Sequence, residues 1–354
     1  MSNADLGLRS AIIFGCEGVT LKPEERALFQ IVRPLGFILF GRNCQRPEQV
    51  RGLIDELREA SGDINTPILI DQEGGRVQRL GPPHWKRRPP AQTFGALARD
   101  NPTAGAEASW LAARLIASDL EPLGITVDCA PVLDLPVPGS HDVIGDRAFA
   151  AEAKSTAELG RAFCQGLLAG GVLPVIKHIP GHGRATVDSH RELPVVEAAE
   201  DELVAVDFAP FAALRDMPLA MTAHVLYAAL DSVNPVTFSP TIIEGAIRGQ
   251  IGFDGVLISD DISMNALPGS VAKRVPRALG AGCDVVLHCN GVLQEMARIA
   301  ESVGTASGLT TRRWAEGMAL RRVPAPFDTD VAERRLESLI GSVDLYGGVD
   351  ADGS

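Results

Sequence analysis

The sequence predicts a (β/α)8 TIM barrel in a single catalytic domain spanning residues 1–354, with its core at about 10–305 and a helical segment and tail at 306–354. Two observations predict it. Eight short apolar runs recur along the chain at 11–15, 36–40, 67–71, 125–130, 172–177, 219–224, 255–259 and 283–289, and they are continuous rather than alternating, as strands covered on both faces are. Each run is followed by a stretch of helical periodicity, at 23–32, 47–60, 104–123, 152–169, 200–215, 239–250, 272–281 and 292–303. Eight strand-then-helix units over about 300 residues fit a closed barrel better than an open doubly wound sheet, which stands as the minority alternative. No linker or internal repeat divides the chain. The stretch 310–340 is Arg-rich and partly helical by period, and 347–354 reads as a small, acidic, frayed tail.

Composition narrows the function. The 354 residues carry 33 basic and 45 acidic side chains, a net charge of −12, and leave no electrostatic footprint for nucleic acid or anionic lipid. No apolar run approaches the ~18 residues of a membrane span. Residues 1–10 lack the basic start and apolar stretch of a secretion signal, which points to the cytoplasm. Six cysteines, Cys16, Cys44, Cys129, Cys164, Cys283 and Cys289, show no CxxC pairing and read as reduced thiols; no cofactor or metal is implied.

The chemistry of a TIM barrel is built on the loops that follow its strands. Here those loops are crowded with charge. The third run exits into Asp71-Gln72-Glu73-Gly74-Gly75-Arg76-Val77-Gln78-Arg79, and the fourth leads to Asp134 and then Gly145-Asp146-Arg147. The fifth continues as Lys177-His178-Ile179-Pro180-Gly181-His182-Gly183 and on to Asp188-Ser189-His190, the sixth ends at His224, and the seventh at Ser259-Asp260-Asp261. Any one such residue is ordinarily a solvated or ion-paired loop group. Five strand ends converging on one rim are not explained that way.

These three motifs together, Ile70 to Val77, Lys177 to His190 and Ser259-Asp260-Asp261-Ile262-Ser263-Met264, resemble glycoside hydrolase family 3 in its bacterial single-domain β-N-acetylhexosaminidase branch. The resemblance covers residues 10–300 in barrel order. It implies a retaining hydrolase with Asp260 as nucleophile, since a carboxylate beneath the anomeric carbon can form a glycosyl ester that water later displaces. Asp261 is the adjacent rival; neighbouring strand residues point to opposite faces, so one of the two is expected to face substrate and the other to cap a turn. The resemblance makes His190 the acid/base on a mobile loop, with Asp188 orienting its ring. It assigns Asp71, Arg79, Arg147, Lys177 and His178 to the sugar pocket, where carboxylate and cationic groups can grip hydroxyls. Gly74-Gly75 and Pro180-Gly181 read as tight turns; His182, His224, Asp128 and Asp134 stand outside the catalytic set.

The substrate implied by resemblance is GlcNAc β-1,4-linked to anhydro-MurNAc peptides, or another GlcNAc-containing disaccharide, in peptidoglycan recycling, handled by a monomer without nucleic-acid or membrane partners. Four other readings stay open. A phosphorylase would use the same site with phosphate as acceptor. A Schiff-base aldolase would use Lys177, a metal hydrolase would use His178 and His182, and a sugar-binding barrel would need no nucleophile. The metal reading is weakened by Ile179-Pro180-Gly181, which cannot continue a helix between the two histidines.

Overall fold

The computed structural model describes residues 9–341. Eight parallel strands close into a barrel: β1 (Ser10–Gly15), β2 (Pro34–Leu39), β3 (Ile68–Ile70), β4 (Val127–Asp128), β5 (Leu173–Ile179), β6 (Leu219–Thr222), β7 (Val256–Asp261) and β8 (Val285–His288). Each pairs with the next in sequence, and β8 returns to β1 through Ile12↔Val286 and Phe14↔His288. The predicted TIM barrel is therefore the observed one, strand for strand. The acidic tail at 347–354 and the first eight residues of the N-terminal reading lie outside the described residues.

The continuous apolar runs have two jobs because each strand is covered twice. Inward side chains such as Ile13, Leu35, Leu69, Val175, Leu219 and Val285 fill the barrel. Outward ones meet the helices, where Phe29, Leu57, Ile116, Phe163, Phe211 and Phe253 are buried. Burying each such side chain contributes roughly 1.5–3 kcal/mol. The floor of the barrel is closed by the helix Gly308–Ala319, whose Trp314 is buried among the lowest inward residues, and whose Gly317 lies beside Pro218 and Val256 at strand starts. The helix Thr329–Ile340 packs Ala332, Leu336 and Ile340 into the outer layer.

Most helices fall within a few residues of expectation, and the differences have local causes. The helix expected over 104–123 begins earlier, as Pro102–Leu120, because Asn101 Oδ1 accepts the Ala104 amide at 3.1 Å and caps it. The single helix expected over 200–215 is two short ones, Glu200–Ala205 and Ala209–Ala213. Pro210 cannot donate to a preceding turn, and the break lets Phe208 and Phe211 reach the core while Asp207 meets Arg184 at 2.7 Å. The stretch 239–250 is helical from Pro240 and takes the wider π form from Ile242 to Gln250, with Ser239 Oγ accepting the Ile242 amide at 3.1 Å.

One helix, Ala91–Asp100, was not expected, and it explains a glycine. Gly95 lies against the chain at Phe149, where an added Cβ would fall 1.6 Å from the Phe149 carbonyl oxygen. Gly95→Ala is expected to lower stability by about 1–3 kcal/mol, the usual range for overpacking. Urea denaturation would read this as a lowered midpoint; an unchanged midpoint would mean the two segments separate freely.

Candidate active site

The strand ends deliver the polar residues to one rim. Beyond β3 the chain turns back as a hairpin, Gln72–Gly74 against Val77–Gln78, so that Asp71 and Glu73 are held rigidly above the barrel. The turn needs glycine: Gly74 has φ 93°, and a Cβ there would sit 2.3 Å from the Pro89 carbonyl oxygen. Two register shifts fall at the site, between Lys177 and Ile179 on β5 and between Ile258 and Asp261 on β7. Such irregularities re-aim side chains that strict alternation would send to opposite faces.

A row of alternating charges forms one wall. Asp71 accepts Lys177 Nζ at 2.8 Å and Arg79 Nη2 at 3.2 Å, and Glu73 accepts the same Nζ at 2.6 Å. Arg147, on the turn Gly145–Arg147, closes the row with two hydrogen bonds of 2.8 Å to the Glu73 carboxylate. Burial alone would raise the pKa of these carboxyls, but Lys177 and Arg79 hold Asp71 below the usual carboxylate range, and Arg147 and Lys177 do the same for Glu73. Burial opposes the charge on Lys177, yet Asp71 and Glu73 outweigh it and push its ammonium above its ordinary value. An amine so held stays protonated, which removes the nucleophile a Schiff-base aldolase needs.

The second wall is imidazole. His178 Nδ1 lies 2.6 Å from Asp134 Oδ2, leaving its other nitrogen for the cavity, and Asp134 Oδ1 accepts the His178 and His182 amides at 3.2 and 2.7 Å. His182 Nε2 lies 3.1 Å from Ser189 Oγ. His224 is buried between Thr237 Oγ1 at 2.8 Å and the Asp261 carbonyl at 3.0 Å.

At the end of β7 the two adjacent aspartates differ in what their oxygens do. Asp261 accepts the Ser263 amide at 3.0 Å, the Ser263 hydroxyl at 2.6 Å and the Cys289 amide at 3.2 Å, so its carboxylate is taken up by the loop. Among the described residues Asp260 accepts the Asp261 amide alone, at 2.7 Å. Burial works against its ionisation, but nearby His224 and His178 and that amide more than offset it, and its carboxyl sits below the ordinary value. Both residues border the cavity, and it is the Asp261 carboxylate that the loop engages, the role expected for one of the pair.

These groups enclose a cavity of about 170 Å3 bounded by Asp71, Arg147, Lys177, His178, His190 and Asp260, with Arg79 at the rim over the Phe40 ring at 5.3 Å. Asp188 stands apart. Its Oδ1 accepts the His190 backbone amide at 2.9 Å and it does not border the cavity, so its carboxylate shapes the turn instead of engaging the His190 ring. The sequence reading gave no role to Glu73, the shared counter-ion of Lys177 and Arg147, and left out Asp134 and His182. Glu73 and Arg147 are 74 residues apart, so their pairing carries no local signal. The four cysteines Cys16, Cys129, Cys164 and Cys283 are buried, Cys44 and Cys289 half-buried, and all six are free thiols.

Comparison with known proteins places this geometry. Residues 19–322 match the glycosyl hydrolase family 3 N-terminal domain. A β-hexosaminidase of Alkalilimnicola ehrlichii is 40% identical over 289 residues, 80% of this chain and 81% of its own length. A β-hexosaminidase of Methylococcus capsulatus is 39% identical over 310 residues, 86% of this chain and 90% of its own. Among solved structures, NagZ from Neisseria gonorrhoeae in complex with N-trifluoroacetyl-D-glucosamine superposes with a TM-score of 0.84 at 31% identity, covering 94% of this chain and 98% of that one. A family 3 β-N-acetylglucosaminidase from Paenibacillus gives 0.83 at 30% identity, covering 94% of this chain and 67% of its own. With a barrel matched nearly end to end and charged groups gathered at its C-terminal rim, this chain belongs to glycosyl hydrolase family 3 and is a glycoside hydrolase.

Proposed function

We propose that this protein is a retaining exo-β-N-acetylglucosaminidase that removes terminal GlcNAc through a covalent glycosyl-enzyme. The observation that carries the reading is that Asp260, the less engaged of the two β7 carboxylates, shares one cavity with His190 and the Asp71–Lys177–Glu73–Arg147 row. In the proposed cycle Asp260 attacks the anomeric carbon, and the bond to the leaving oxygen breaks as His190 protonates it. His190 then takes a proton from water, which attacks the glycosyl ester and frees Asp260. Asp71, Arg79, Arg147, Lys177 and His178 hold the sugar hydroxyls and the acyl oxygen. Asp188 serves by holding the turn that presents His190.

The barrel interior beneath the cavity is packed, so the cleft does not pass through the barrel, which favours exo action. The β-hexosaminidase names of the relatives and the N-trifluoroacetylglucosamine bound to the Neisseria protein support the GlcNAc assignment. We place the natural substrate among GlcNAc-anhydroMurNAc peptides of peptidoglycan recycling and the enzyme in the cytoplasm, acting as a single-domain monomer. No helix among the described residues is long and apolar enough to cross a membrane.

The test is turnover of p-nitrophenyl β-GlcNAc against the β-glucoside, with the first-formed product followed by proton NMR in the presence and absence of phosphate. Hydrolysis restricted to the GlcNAc substrate with the β-anomer appearing first is expected. Initial α-product would overturn the retaining mechanism, and GlcNAc-1-phosphate would replace hydrolase by phosphorylase.

A further inference from the structure

The loop that carries His190 is fastened to the barrel in an unequal way. At its start it is pinned by close packing: a Cβ on Gly183 would fall 1.9 Å from the Leu135 carbonyl oxygen, and the Ala185 carbonyl accepts the His141 amide at 2.8 Å. At its tip, Thr186 is exposed, Val187 and Asp188 are half-buried, Ser189 is buried and His190 is exposed again. Ser189 is thus a buried hydroxyl between two more accessible neighbours. Its Oγ lies 3.1 Å from His182 Nε2, and its carbonyl accepts the Ala266 amide at 3.2 Å. Among the described residues this is the one side-chain hydrogen bond that ties residues 186–190 to the barrel.

The partner is itself fixed. The His182 amide donates to Asp134, whose other oxygen holds His178, so the anchor and the sugar-facing imidazole share one carboxylate. The His182 ring is buried and its Nδ1 has no partner, which makes Ser189 the single polar partner of that ring among the described residues. Burial first, and then the neighbouring His178, bring this imidazole down to about 4, so it is neutral near pH 7 with one N–H and one lone pair. A serine hydroxyl complements either tautomer. A buried polar ring that lost it would carry the cost of an unmade hydrogen bond, which gives the closed position of the tip its preference.

We propose that Ser189, through its hydrogen bond to His182, is the positioning residue that sets His190 over the cleft. The proposal rests on the reading of His190 as acid/base. Asp188 makes the turn, Ser189 fastens it, and the exposed His190 is presented at the cleft to meet a glycosidic oxygen.

The experiment compares wild type, Ser189→Ala, Ser189→Thr and His190→Ala on aryl β-N-acetylglucosaminides of graded leaving-group acidity, and follows amide hydrogen exchange of residues 183–192. Ser189→Ala is expected to lose about tenfold in kcat on poor leaving groups, and little on the most acidic phenol, with KM nearly unchanged. Its tip amides should exchange about fivefold faster while the barrel strands stay as in wild type. Ser189→Thr, which keeps the hydroxyl, should recover the wild-type leaving-group pattern. Unchanged exchange in Ser189→Ala, or a loss equal for all leaving groups, overturns the proposal while leaving His190 as acid/base. If His190→Ala shows no leaving-group dependence, the acid/base reading falls and takes the proposal with it.

Discussion

Asp260→Ala is expected to lose about 10⁴-fold or more in kcat on β-GlcNAc substrates with the barrel intact, because the other carboxylates bordering the cavity among the described residues are held in ion pairs or loop hydrogen bonds. Asp261 is the nearest alternative, and three hydrogen bonds to Ser263 and Cys289 hold it in the loop. A small anion such as azide should partly restore turnover by entering the space left by the carboxylate and should give the α-glycosyl azide. Residual activity above a few per cent, or a β-azide product, would move the nucleophile elsewhere. Circular dichroism and the urea midpoint separate this from unfolding, since Asp260 donates nothing to the core.

Glu73→Ala is expected to have the largest effect on stability, about 3–5 kcal/mol, since it strips the half-buried Arg147 guanidinium of its bidentate partner and leaves the buried Lys177 with Asp71. KM should rise with it, because Arg147 and Lys177 lose the group that aims them. Glu73→Gln, which keeps shape and one acceptor, should fall between. Acid titration gives an independent readout. Arg147 and Lys177 override burial and bring Glu73 from 4.5 down to about 2 in the folded protein, so its stabilisation is fully present above about pH 4.5 and is lost as the pH falls towards 2. Urea midpoints measured across that window should fall less steeply for Glu73→Gln than for wild type. Equal slopes would assign the acid sensitivity to other carboxyls.

What could be seen in the chain beforehand divides along physical lines. The eight strands were legible because burial on both faces forces an unbroken apolar run, and β5 or β8 needs nothing beyond its own residues to declare itself. β4 was overestimated, with 125–130 expected and Val127–Asp128 observed, since apolarity marks burial and not the ladder. The helix Ala91–Asp100 was missed because Gly95 lies at its centre, and what favours glycine there is the Phe149 backbone, remote in sequence. At the site, Asp71, Arg79, Arg147, Lys177, His178, His190 and Asp260 were nameable from motifs at strand ends, and they meet at one cleft. The work of Glu73, Asp134 and Ser189 was not legible, because a counter-ion or an anchor is defined by what folding places beside it. Asp188 shows a related point: two residues of separation place its carboxylate equally well for the His190 ring or for the His190 amide, and here its Oδ1 accepts the amide.

Beneath the cleft the barrel interior is filled by inward side chains, with Trp314 at its floor, so the cleft of the proposed hydrolase opens at the rim. Traffic through it is then last in, first out. The sugar that enters first lies deepest, so the departing aglycone must clear the mouth before water can arrive, and the freed sugar leaves only after both. In the proposed reaction the order of release is thus a property of the architecture, set by the packed barrel interior beneath the chemistry.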